Sequence, residues 1–273
     1  MASDSATQRI KRLDAVRRAA AGAIHGVRKV VVPPLRGQSA HSTLISTATY
    51  SPWLTDRDYA AVAARVQDNT LLDEMRLYEL WQLAAQVSHL QGDAIEIGCW
   101  RGGAGCLSAS RARLDAQGAT MFLCDTFTGV VKAGGQDSVY VGGEHADADA
   151  ATVRRLVDAM GLTNVELLIG IFPDDTGAQV ADRRFRFAHI DVDVFEGARD
   201  SFTWLFPRLC VGAIVVFDDY GSSTTDGIRT FIDQLHGHPD LAVVRNLNGQ
   251  AVVIKRSETA RELSLPGNAT AVG

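Results

Sequence analysis

From Asp93 onward the chain alternates short apolar runs with helical stretches, and that alternation leaves few architectures open. The runs are Ala94 to Gly98, Met121 to Cys124, Val165 to Ile169, Phe187 to Val194 and Ala213 to Phe217. Strands spaced by helices predict a doubly wound, mostly parallel α/β sheet. Two later runs, Leu241 to Leu247 and Gln250 to Lys255, flank Asn248-Gly249. That dipeptide tolerates the positive φ of a tight hairpin turn, so a terminal antiparallel hairpin is expected. In open α/β sheets ligands sit beyond the carboxyl ends of the strands, where the strand order reverses, so those ends carry most functional weight.

The chain ahead of the sheet reads as helical. Ile10, Leu13, Val16, Ala20, Ile24 and Val27 recur at helical spacing among Arg9, Lys11, Arg12, Arg17, Arg18, Arg28 and Lys29, a basic amphipathic helix over residues 8–31. Such a helix packs on the body or a second subunit, or lies on an anionic membrane. Pro33-Pro34 ends it, and residues 37–47 read as a polar linker. Thr55-Asp56-Arg57-Asp58 opens like a capped helix. Residues 71–90 supply another, with Leu72, Met75, Leu80, Leu83 and Val87 on its apolar side. The expected organisation is an N-terminal helical arm and linker over 1–50, one domain with leading helices over 51–256 and a tail over 257–273. With 273 residues, 46% of them hydrophobic, a sizeable core is within reach.

Asp191 and Asp193 in Ile-Asp-Val-Asp-Val, and Asp218 and Asp219 in Phe-Asp-Asp-Tyr, fall near the ends of the fourth and fifth runs. Like charges brought together at the edge of a core repel by several kcal/mol unless protonation or a cation relieves them. Hard carboxylate oxygens favour magnesium or a similar ion.

The first run leads into Glu96-Ile97-Gly98-Cys99-Trp100-Arg101-Gly102-Gly103-Ala104-Gly105, a Gly-rich turn between strand and helix. Trp100 stands where the dinucleotide fingerprint has its second glycine, which argues against a pyrophosphate. Glu96, two positions before the first glycine, is placed to receive an ammonium group, although a purely structural turn is the competing reading. Asp125, in Cys124-Asp125-Thr126-Phe127, is placed to accept from both hydroxyls of a ribose, or to act as an ordinary cap. Gly170-Ile171-Phe172-Pro173-Asp174-Asp175-Thr176 suits a turn lining an adenine pocket.

Taken with Trp53-Leu54-Thr55 and Leu80-Trp81-Gln82-Leu83, the motifs Glu96-Ile97-Gly98-Cys99-Trp100-Arg101-Gly102-Gly103, Asp125-Thr126-Phe127, Asp191-Val192-Asp193 and Asp218-Asp219-Tyr220 resemble the macrocin O-methyltransferase family over residues 50–256. The resemblance implies a Rossmann-like methyltransferase that uses S-adenosylmethionine and Mg2+ to methylate sugar hydroxyls of antibiotics and related glycosides, usually as a homodimer or larger assembly. It implies that Asp191, Asp218 and Asp219 hold the metal and that Asp193 is the base. Cofactor contacts are expected at Glu96, Gly98, Trp100, Arg101, Gly102, Gly103, Asp125, Thr126, Phe127, Asp174 and Asp175, and substrate contacts at His145, Phe195 and Tyr220. Phe195, preceded by Val194, replaces a Tyr or Trp-Tyr of many members, a departure that bears on substrate contacts more than on the metal.

The residues fit this chemistry in their own right. An aliphatic hydroxyl must lose its proton before it attacks a sulfonium methyl. A divalent ion lowers the pKa of a bound hydroxyl and fixes its approach. Asp193, expected on the same side of an extended strand as Asp191, would take the proton, or else serve as a supporting carboxylate. His189 reads as a packed strand residue. His145 closes a Gly-rich insertion, residues 132–145, that reads either as a lid over the acceptor or as a solvated loop.

The remaining classes are a catechol-type methyltransferase, whose two phenolic oxygens chelate the same ion, an NAD-dependent oxidoreductase, and a non-catalytic nucleotide or metal-binding module. A net charge of −5 with mixed signs gives no basic footprint for nucleic acid. No apolar stretch reaches the about 18 residues of a membrane helix and no signal-peptide core follows the N-terminal charges, so no membrane partner and a cytoplasmic location are expected. Cys99, Cys106, Cys124 and Cys210 lack metal or disulfide-scaffold spacing and read as reduced core residues.

Overall fold

The computed structural model describes residues 12, 13, 15, 16, 18–23, 48–114, 118–260, 262 and 263. The chain splits into two compact units, Met1–Pro52 and Trp53–Gly273. In the first, the described residues from 12 to 23 are helical, and all but Ala21 are exposed. The rest of the expected helix over 8–31, the linker over 37–47 and the tail from 264 to 273 lie outside the described residues.

The second unit is built on a seven-stranded sheet in the order β3-β2-β1-β4-β5-β7-β6. The strands are β1 (Asp93–Ile97), β2 (Met121–Asp125), β3 (Val165–Ile169), β4 (Phe185–Ile190), β5 (Leu209–Phe217), β6 (Leu241–Arg245) and β7 (Ala251–Lys255). β1 to β5 pair in parallel, while β7 runs antiparallel to both β5 and β6. The strand order reverses between β1 and β4, the switch point beside which ligands bind in open α/β sheets.

Period-two alternation sends successive strand residues to opposite faces. Ile95 and Ile97 of β1 join one core cluster with Phe202 of α5 (Phe195–Leu205) and Phe231 of α6 (Asp226–Asp233). Ala94 joins the other, with residues of α1 (Arg57–Val66), α2 (Glu74–Gln86), α3 (Gly103–Ala112) and α4 (Ala150–Met160). α1 starts at the expected cap, Asp56 accepting from the Tyr59 N–H at 3.0 Å. In α2 the buried stripe is Leu77, Tyr78, Leu80, Trp81 and Ala84, whereas Met75 is exposed because it sits in the first turn, beyond the core.

Two parallel strands differ from their apolar runs by more than one residue at an end. β5 starts four residues before Ala213, at Leu209. β4 ends at Ile190 and does not continue to Val194. Beyond it the Val194 N–H donates to the Val192 carbonyl at 2.8 Å, a three-residue turn with Asp193 at its centre and φ at 64°. Asp193 is therefore on a tight turn and not on an extended strand.

Candidate active site

Beyond the carboxyl ends of the parallel strands lies a cavity of about 240 Å³. One wall is made by the loop after β1, with Gly98 and Trp100, and by Asp125 and Thr126 at the end of β2. Asp191, Asp193, Asp218 and Asp219 form another, and Gly170, Ile171 and Phe172 a third. Val130, Val131, Lys132, Tyr140 and His145 close it from the long connection between β2 and α4.

The two central loops approach so closely that a side chain at Gly98 has no room. Its φ is 87°, and a Cβ would lie 1.7 Å from the Asp191 carbonyl oxygen. Backbone strain concentrates around the same cavity. Trp100, Lys132, His145, Asp193 and Asp219 all have left-handed φ and all line it; of the described non-glycine residues with that conformation, only Phe127 does not. Such conformations persist where surrounding contacts over-determine them. At Asp219 the carbonyl accepts from the Thr225 hydroxyl at 2.8 Å and the Ser222 N–H at 3.0 Å.

Oxygen atoms of Asp191, Asp193 and Asp219 all lie within 4.8 Å of one another, a grouping able to hold a metal ion. Burial, then the neighbouring Asp218 and Asp219, push the Asp191 carboxyl well above its ordinary range. Burial, then Asp218 and Asp193, do the same to Asp219. Asp193 is raised as well, by burial first, with the neighbouring Asp219 and Tyr140 acting in the opposite sense. A divalent cation relieves this repulsion, so the donor set suits a hard ion.

Asp218 is 2% exposed and turned partly aside. Its Oδ2 accepts from the Arg76 guanidinium of α2 and its Oδ1 from Gln250 Nε2 at 2.9 Å. Thus the expected metal set of Asp191, Asp218 and Asp219 is not the closest trio; the pull of Arg76 on Asp218 leaves Asp193 nearer to the other two. Each oxygen of Asp218 keeps a lone pair beyond its hydrogen bond.

Asp125 binds the backbone of its neighbours. The Trp100 N–H donates to Oδ2 at 2.7 Å and the Phe127 N–H to Oδ1 at 2.8 Å. Despite these bonds, burial raises its pKa.

The other expected contacts are dispersed. Glu96 is 2% exposed and outside the cavity lining; His189 Nδ1 lies 2.8 Å from its Oε1, because residues 96 and 189 are register partners on β1 and β4. Arg101 pairs with Asp147, Asp174 with Lys132, and Asp175 accepts from the Ile171 N–H at 2.8 Å, so none of the three lines the cavity. Gly102 and Gly103 serve the start of α3. Phe195 packs edge-on against Phe231 at 6.0 Å between ring centroids, and Tyr220 is buried with its hydroxyl donating to Asp233 at 2.7 Å. Both aromatic rings face the core and not the cavity. Lys132 and Tyr140 come from the Gly-rich insertion over 132–145, whereas Arg76 and Gln250 carry no local motif and long-range geometry alone brings them to the site. Cys99, Cys106 and Cys124 are buried free thiols, and Cys210 is half-buried, with Sγ 3.0 Å from the Gln91 carbonyl. Among the described residues no helix is long and apolar enough to cross a membrane.

Solved methyltransferases share this fold. The O-methyltransferase NovP superposes with a TM-score of 0.59 at 24% identity, covering 69% of this chain and 82% of its own. The calicheamicin methyltransferase CalS11 gives 0.58 at 19% identity, covering 76% and 94%. The architecture is that of the Rossmann-like, S-adenosylmethionine-dependent O-methyltransferases. Residues 42–253 match the TylF model, and the chain belongs to that macrocin-O-methyltransferase family. Mycinamicin III 3''-O-methyltransferase of Micromonospora griseorubida is 29% identical over 216 residues, 73% of this chain and 81% of the relative. A 4'-O-methyltransferase acting on 8-demethyl-8-(2,3-dimethoxy-alpha-L-rhamnosyl)-tetracenomycin-C, from Streptomyces olivaceus, is 33% identical over 183 residues, 62% and 67% of the two chains.

Proposed function

We propose that this enzyme methylates a hydroxyl of a sugar, borne by a natural product or by a nucleotide-linked precursor, with Mg2+ held by Asp191, Asp218 and Asp219 and with Asp193 taking the proton. The observation that carries the reading is the convergence of four carboxylates on the cavity that also contains Asp125. The relatives named for mycinamicin and for a rhamnosyl-tetracenomycin support a glycoside acceptor.

When bound, S-adenosylmethionine supplies an electrophilic methyl on a sulfonium, and the ion supplies Lewis acidity that lowers an alcohol's pKa and fixes its approach. Asp125, held by two backbone N–H groups, presents its remaining lone pairs to ribose hydroxyls. The loop from Gly170 to Phe172 offers a partly apolar wall for a base. Gln250 and Arg76 orient Asp218 from behind, as hydrogen-bonded partners orient metal-ligating carboxylates elsewhere. Asp193 lines the cavity beside Asp191 and Asp219, where it can take the proton of the reacting hydroxyl. Val130, Val131 and Phe172 limit water around the reacting atoms.

The test is S-adenosylhomocysteine release with a rhamnosyl glycoside, a nucleotide-linked deoxysugar and a catechol, each with Mg2+ or EDTA. Magnesium-dependent release with either sugar supports the proposal. Release with the catechol alone, or release indifferent to EDTA, contradicts it.

A further inference from the structure

We infer that the acceptor enters as an uncharged glycoside whose apolar aglycone docks on Leu71, Met75, Val139 and Val141, and that the cavity selects it over a sugar carried on a nucleoside diphosphate; the inference rests on the sugar methylation proposed above. The charge of the cavity is the first observation. Asp125, Asp191, Asp193, Asp218 and Asp219 all line it. Arg76 and Lys132 are the Arg and Lys of its described lining, and both are already engaged. Arg76 gives Nε to Asp73 at 3.0 Å, Nη1 to Asp218 and Nη2 to the Leu71 carbonyl at 3.1 Å. Lys132 Nζ stands between Asp200 at 2.7 Å and Asp174 at 2.8 Å, two carboxylates for one ammonium. Arg101, beside the wall that holds Trp100, is paired with Asp147 at 2.8 Å. Even with a divalent ion and a sulfonium bound, positive charge there falls short of the five carboxylates. A diphosphate only adds negative charge, and like charges brought into a partly buried cleft exclude the wrong ligand. A neutral sugar meets no such penalty.

Around the opening the surface is apolar instead. Leu71 lines the cavity yet is more than half exposed, so it stands at the mouth. Met75 adjoins Arg76 of the lining and is equally bare. Val139 and Val141 flank Tyr140, which lines the cavity from the 132–145 segment, and both are more than half exposed. Large apolar side chains left in water beside a binding cavity mark a contact surface. Their occupant is the part of the acceptor that remains outside when the sugar reaches the carboxylates.

The backbone that displays these residues is held in place before any acceptor arrives. The Arg76 guanidinium joins the Leu71 carbonyl to Asp218, which fixes Leu71 one side chain's span from the acid cluster. Asp137 accepts from the Phe195 N–H at 2.9 Å, and the Ser138 N–H donates to Asp226 at 3.1 Å, so the chain leading to Val139 is tied to the starts of α5 and α6. Glu144 accepts from the Val141 and Gly142 N–H groups at 2.9 Å each. Val130 and Gly143–Glu144 exchange backbone bonds at 2.8 Å, which closes the segment into a loop. Apolar side chains on so constrained a backbone lose little freedom when they are covered, and such preorganisation favours binding.

The experiment is calorimetric titration of the full chain, as its S-adenosylhomocysteine complex, with naphthyl rhamnoside, methyl rhamnoside and thymidine diphosphate rhamnose. The naphthyl glycoside should bind at least about 10-fold more tightly than either of the others. Equal or tighter binding of the nucleotide-linked sugar, no preference for naphthyl over methyl, or no binding of the naphthyl glycoside overturns the inference. In the double variant Leu71→Ser with Val141→Ser, the preference for naphthyl over methyl should shrink about 10-fold while affinity for S-adenosylhomocysteine stays at the wild-type value. An undiminished preference overturns the inference, and the retained cofactor affinity shows that the variant is folded. Methylation of thymidine diphosphate rhamnose in preference to the glycosides would overturn this inference and leave the proposed sugar methylation standing, whereas methylation of a catechol alone would remove the latter, so the two failures are distinguishable.

Discussion

Gln250 Nε2 donates to Asp218 Oδ1 at 2.9 Å, so the terminal hairpin reaches into the acid cluster at the end of β5. Phe217 and Ala251 are register partners on β5 and β7, which puts the residues just beyond them side by side. Both Gln250 and Asp218 are almost completely buried. Gln250→Leu leaves a buried carboxylate oxygen without its donor, and the expected loss is about 1–3 kcal/mol in urea unfolding. An unchanged midpoint and slope would show that water takes over the contact.

Arg76 is the other partner of Asp218. Removing a cation from a buried carboxylate is more damaging than removing a neutral donor, so Arg76→Met should destabilise by about 3 kcal/mol. Saturating Mg2+ should recover part of the loss, because an ion supplies the missing positive charge. Equal losses with Mg2+ and with EDTA would separate Asp218 from the metal site.

Folded-state pKa values of Asp191 and Asp219 above the ordinary 3.8 set the sign of a pH effect. Between the unfolded carboxylate range and the raised values, the native state binds more protons than the unfolded one. Stability of the ion-free protein therefore falls as pH rises through that window. Urea unfolding in EDTA should show this decline, and Asp191→Asn with Asp219→Asn should flatten it. A wild type and a double variant with parallel pH curves would contradict the assignment.

Gly98 tests the crevice itself. Gly98→Ala combines a left-handed φ with a Cβ 1.7 Å from the Asp191 carbonyl, and the expected destabilisation is about 3 kcal/mol or more. Thermal unfolding reads it; a variant within 1 °C of the wild type would mean that the two loops separate without penalty.

The sheet was legible because apolar runs and Asn248-Gly249 are local signals, and the runs ended close to Ile97, Asp125 and Ile169. The cavity lining was legible at the strand ends, as at Asp125, Asp191 and Asp219. It was not legible where a side chain's direction depends on the turn that follows. Tyr220 and Phe195 stand beside the acid motifs yet point into the core. Glu96 lies within the first motif yet faces His189, which only the β1–β4 register reveals. Arg76 and Gln250 reach Asp218 from 142 and 32 positions away, a distance across which no spacing rule operates.

The central claim is that these carboxylates grip a divalent ion. Calorimetric titration of Mg2+ into the S-adenosylhomocysteine complex tests it directly, with wild type, Asp191→Asn, Asp219→Asn and Asp193→Asn compared. The account predicts one site per chain, lost in Asp191→Asn and Asp219→Asn and retained in Asp193→Asn. No magnesium binding by the wild-type complex, or equal binding by all four proteins, would contradict it.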